Sequence, residues 1–86
     1  MSRYTVVNQS DADSELATIW ANAVDRRQIS DAADLADRLL AADPLKDSVH
    51  LGEQLWRRDF APLRFYFEVR EQDRLVVVSK IVRRSL

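Results

Sequence analysis

Nine of the thirteen lysines and arginines fall between Pro44 and Leu86, against six of the fourteen carboxylates. Between Met1 and Asp43 the balance reverses, with four arginines against eight acids. Cations gathered on one half of a small chain suit a surface that meets phosphates. Arginine adds a planar fork that fits a phosphate with two hydrogen bonds. The bland alternative is a set of solvated faces, because charge splits of this size are common.

Other chemistry is narrowly bounded. There is no cysteine and one histidine, His50. Disulfides, thiol nucleophiles and thiolate metal sites are excluded, and a zinc or other transition-metal site is not expected. No cofactor is expected either. His50 has a side chain that can move protons near neutral pH, but a lone loop histidine is more often simply exposed.

These residues need a frame to hold them. At 86 residues the chain has room for one domain, spanning residues 1–86. The composition, 47% hydrophobic and 31% charged, fits a globule better than a disordered or membrane segment. A domain this small buries only about 60–65% of its unfolded surface, so a partner covering apolar area would help it. The opening residues MSRYTVV carry no apolar core of the signal-peptide kind. Leu75 to Val78 is far too short to cross a bilayer. A cytoplasmic protein without membrane attachment is the expectation.

Residues Arg3 to Asn8 are β-rich, with Tyr4, Val6 and Val7; they predict a first strand. Ser10 and Asp11 offer a helix cap. Leu16, Ile19, Trp20, Ala23 and Val24 then fall at the spacing of an amphipathic helix, and Trp20 is expected in the core. The polar segment Arg26–Ser30 ends on a second capping candidate, Ser30 or Asp31. A second stripe follows, Ala32, Leu35, Ala36, Leu39 and Leu40, and stops at Asp43-Pro44, where proline disfavours helical geometry in the residue before it.

After a loop at Lys46–Val49, Leu51 to Arg58 predicts a strand holding the only glycine, Gly52. Trp56 shares strand parity with Gln54 and Arg58. Asp59–Pro62 predicts a turn. Leu63, Phe65, Phe67 and Val69 alternate with Arg64, Tyr66, Glu68 and Arg70, the pattern of a strand with one buried and one wet face. Glu71–Asp73 predicts a hairpin turn, and Leu75 to Val82 a strand apolar on both faces and therefore central or partly covered. The expected architecture is α+β, in the order β-α-α-β-β-β: a helical hairpin on a four-stranded antiparallel sheet, with the first strand beside the last.

This ordered set resembles the RelE/ParE superfamily, toxins of bacterial type II toxin–antitoxin systems. SDADSELATIW is similar to the family's opening helix and LADRLLAADP to the end of its second. Gly52-Glu53, Leu55, Arg57 and Arg58 resemble its second strand. PLRFYFEV followed by DRLVVVSKI resembles its third and fourth strands, and is the most specific part.

The resemblance implies a protein partner, a cognate antitoxin. It also implies one of two targets. RelE-like members cut messenger RNA on the ribosome, and ParE-like members inhibit DNA gyrase. A binding protein of the same fold without toxicity is a third reading. For an mRNA endonuclease, the substrate's own 2′-hydroxyl attacks phosphorus and cations hold the developing charge. On that pattern Arg64 occupies the place of the catalytic arginine and Arg83 lies near the second. The alternative for Arg64 is a solvated strand residue paired with Glu53 or Glu68, and for Arg83 an end-of-chain residue. Arg57, Arg58, Tyr66 and Lys80 are the RNA-binding candidates; Arg57 and Arg58 must point to opposite faces, and Tyr66 can stack on a base or simply pack with its hydroxyl wet. The resemblance also implies two departures. The C-terminal catalytic tyrosine of RelE-like enzymes has no counterpart here, and the dense lysine cluster of the strongest nucleases is reduced to Lys46 and Lys80. Both predict weak or absent nuclease activity.

Overall fold

The computed structural model describes residues 3–84. The elements run β1 (Thr5–Asn8), α1 (Ser10–Asn22), α2 (Arg26–Ala42), β2 (Val49–Gly52), β3 (Leu55–Phe60), β4 (Leu63–Arg70) and β5 (Leu75–Arg83). They form one five-stranded sheet in the order β1-β5-β4-β3-β2. The helical hairpin carries the chain from one sheet edge to the other, and the meander β2 to β5 brings it back. The first strand does lie beside the last, but parallel to it, so the sheet is mixed and not antiparallel throughout.

The count of strands also differs from the four expected. The segment Leu51–Arg58 is not one strand. It folds at Glu53-Gln54 into the hairpin of β2 and β3. The fold-back is made by Gly52 at φ 151° and Glu53 at φ 47°, the left-handed region that glycine enters at no steric cost.

The helix starts differ too. Asp25, not Ser30 or Asp31, caps α2, its carboxylate accepting the Gln28 N–H at 3.1 Å. The polar run from Arg26 is therefore the first turn of the helix. Gln9, without a side-chain bond, precedes α1, while Asp13 accepts from Asn8 Nδ2 at 2.9 Å. Asp43-Pro44 ends α2 as expected, and Pro44 is buried.

The core lies between the hairpin and one face of the sheet. Phe60, Leu63, Phe65, Phe67, Val69, Val76, Val78 and Ile81 meet Ala12, Ile29, Ala32, Ala36 and Leu40. Small alanines on both helices let the backbones approach the phenylalanines closely. Leu16, Ile19 and Leu39 pack at the margin. Trp20 does not join them. It is 43% exposed, and Val24 is fully exposed. Trp20 instead clasps the helices from outside: its Nε1 donates to Ser30 Oγ at 3.1 Å and the Arg26 guanidinium lies 4.7 Å over its ring. The Ala32, Ala36 and Leu40 stripe is buried, whereas Leu35 is exposed.

Candidate nucleic-acid interface

The sheet face away from the helices is built by strand parity. Leu63, Phe65, Phe67 and Val69 are buried against the helices, so Arg64, Tyr66, Glu68 and Arg70 project from the opposite, open face. Register extends that face across the sheet. Arg57 lies opposite Tyr66, and Tyr66 opposite Lys80. In the next row Asp59 lies opposite Arg64, and Arg64 opposite Val82.

A bulge at Ser79 decides which residues of β5 join this face. Phe67 pairs with Val78 but Tyr66 pairs with Lys80, so Ser79 is extra. Its hydroxyl donates to the Tyr66 carbonyl oxygen at 3.3 Å. One inserted residue reverses the parity of everything after it. Ile81 returns to the core, while Lys80, Val82 and Arg84 fall on the open side. Arg83 lies opposite buried Leu63 and lines a groove with Glu15, Thr18 and Ile19 of α1.

The predicted residues therefore separate. Arg57, Arg64, Tyr66 and Lys80 share one surface. Arg83 and Arg58 do not. Arg58 lies opposite Phe65 on the helix side, with its guanidinium 4.8 Å over the Phe60 ring and 4.0 Å from Asp47 Oδ2. His50 is also elsewhere: its Nε2 donates to the Glu53 carbonyl oxygen at 2.7 Å and its ring stacks on half-buried Trp56 at 4.5 Å.

The residue that sequence reasoning missed is Arg84. Its backbone N–H donates to the Pro62 carbonyl oxygen at 2.8 Å, which continues the β4–β5 pairing past Arg83. Its Nη1 donates to Asp59 Oδ2 at 3.1 Å. Arg64 holds the same carboxylate with two bonds, Nε to Oδ1 at 2.6 Å and Nη2 to Oδ2 at 3.2 Å. Arg64 is thus paired with Asp59, and not with Glu53 or Glu68; Glu68 is held by Arg70 at 2.7 Å. The hydrogen bond from Arg64, helped by the charges of Arg64 and Arg84, holds the Asp59 carboxyl below the usual carboxylate range. The same bond to Asp59 raises the Arg64 guanidinium, which stays charged throughout. A signal for Arg84 exists only in the bulge, which strict alternation does not reveal.

The charges on the two sides of the sheet differ in sign. The helical layer, Ser10 to Ala42, has seven carboxylates and three arginines. The open face carries Arg57, Arg64, Arg70, Lys80 and Arg84 against Asp59 and Glu68. Among the described residues no three His, Cys, Asp or Glu side chains are grouped to hold a metal ion, and no helix is long and apolar enough to cross a membrane.

No family model and no curated protein sequence matches the chain. Solved structures do. The RelBE2 toxin–antitoxin complex of Mycobacterium tuberculosis aligns with a TM-score of 0.80 at 18% identity, over 95% of this chain and 99% of that one. The RelE–RelB complex of the archaeon Pyrococcus horikoshii aligns with a TM-score of 0.64 at 16% identity, over 95% and 96%. The isolated RelE toxin of E. coli aligns with a TM-score of 0.59 at 14% identity, over 96% and 86%. The fold is an α+β domain of small mixed sheet and helical hairpin. Within that class it is the fold of the RelE toxins.

Proposed function

We propose that this chain is the toxin of a toxin–antitoxin pair and acts on RNA through the open face of its sheet. The observation that carries the reading is the grouping of Arg57, Arg64, Lys80 and Arg84 around Tyr66 on one exposed face of a RelE-type fold. Such a face offers guanidinium forks for phosphates and an aromatic ring for a base. Similar solved structures include complexes with an antitoxin, which supports an antitoxin as this chain's partner.

The reaction in this reading is ribosome-dependent cleavage of messenger RNA. The 2′-hydroxyl oxygen attacks the adjacent phosphorus and gives its proton to solvent water, the P–O5′ bond breaks, the leaving 5′-oxygen takes a proton from solvent, and a 2′,3′-cyclic phosphate forms. Arg64 stabilises the charge that builds on phosphate oxygens in the transition state. Arg57 and Lys80 hold neighbouring phosphates, and Tyr66 stacks on a base. Arg58 and Arg83, on the helix side, take no part. Asp59, kept ionised by its arginines, is a weak base, so the face favours charge stabilisation over proton removal. The test is translation with purified ribosomes followed by mapping of RNA ends. Cleavage at ribosome-bound positions, lost in Arg64→Ala, supports the reading. Intact messages together with blocked DNA supercoiling would replace it with gyrase inhibition.

A further inference from the structure

Asp59 takes up three guanidinium hydrogen bonds from two arginines on the open face. A carboxylate presents its two oxygens to a guanidinium much as a phosphodiester does. The Nε–Nη2 fork of Arg64 and one N–H of Arg84 are therefore already occupied. We propose that Asp59 is an internal competitor for phosphate, a latch that holds Arg64 and Arg84 together until a phosphodiester of single-stranded RNA displaces it. The inference deepens the reading of this face as an RNA surface and rests on it. It also adds Arg84 to that surface as a phosphate-binding group.

Three features make the latch releasable. Asp59 stands at the end of β3, next to the turn at Ala61-Pro62, and its side chain is 45% exposed. Only the two arginines hold it among the described residues. Exposed ion pairs are weak, so an anion that also meets Arg57 and Lys80 can outcompete one carboxylate. Both arginines, in contrast, have fixed starting points. Arg64 sits mid-sheet with its side chain only 19% exposed, and the Arg84 backbone is tied to Pro62 at 2.8 Å. Displacement therefore moves the carboxylate and leaves the cations in place.

The test measures binding of the full chain to a short fluorescein-labelled oligouridylate across a salt series, with a melting curve for each variant. Asp59→Asn keeps the shape and removes the charge. It is expected to bind roughly two- to fivefold more tightly, with a salt slope steeper by about one phosphate contact. Adding Arg84→Gln should remove the gain. Asp59→Ser serves the same purpose if the amide perturbs folding. If Asp59→Asn binds no better than wild type while Arg64→Ala still weakens binding, the latch is overturned and the RNA face stands. If Arg64→Ala binds as wild type does, the RNA face itself is overturned, and the latch with it.

Discussion

The Glu15 carboxylate of α1 accepts the backbone N–H of Ile81 at 2.9 Å. It does so beyond the end of β1, whose last pair is Asn8 with Val78. From there on β5 has no strand on that side, and a helical side chain takes over the bonding of an open edge. The bond also fixes the strand just after the Ser79 bulge, where parity changes.

Glu15→Ala leaves a part-buried N–H without its partner. The expected loss is about 1–3 kcal/mol of unfolding free energy, read from urea denaturation. Glu15→Gln keeps an acceptor and should lose less.

Phe67 is fully buried at the centre of the sheet face under the helices. Phe67→Ala is expected to cost about 3–5 kcal/mol, a large share of the stability of a domain of this size. Trp20→Ala, at an exposed clasp, should cost roughly 1–2 kcal/mol. Chemical denaturation of the two variants under one set of conditions checks the ranking.

Acid should act through Asp59. Its folded carboxyl titrates below its unfolded value of about 3.9. The stability it contributes is therefore present above pH ~4 and is lost as pH falls through the depressed folded value. Asp59→Asn should flatten the acid limb of a plot of melting temperature against pH below about 4. An unchanged acid limb would show that the pair adds nothing to stability.

Arg64 and Arg83 should part company in function. Arg64→Ala is expected to lower ribosome-dependent cleavage by about a hundredfold or more. Arg64→Lys should recover only part of it, since an ammonium lacks the fork. Arg83→Ala, on the helix side, should cleave close to the wild-type rate. RNA-end mapping over a time course separates the three.

Much of this fold was legible in the chain. Alternation from Leu63 to Arg70 correctly placed Phe65 and Phe67 inward and Arg64 outward, because both faces of that strand have strong and opposite demands. Asp43-Pro44 marked the end of α2 for a local steric reason. What was missed depends on context. Trp20 fits the helical stripe, yet small residues win the core side because the helices lie close to a phenylalanine-rich sheet. The β2–β3 fold-back turns on Gly52 and Glu53, and a lone glycine in a strand reads equally as a bulge. Which of Arg83 and Arg84 reaches the open face rests on one unpaired residue, Ser79, whose sequence neighbours give no sign of a bulge.

Because carboxylates outnumber cations behind the sheet and cations outnumber carboxylates on its open face, the molecule has a negative back and a positive front at almost zero net charge. A distant polyanion exerts little net pull on such a body but does exert a torque. Beside an RNA such a domain would turn its open face forward before touching, and added salt, which shortens the reach of that torque, would then slow productive encounters more than it alters the overall rate of collision.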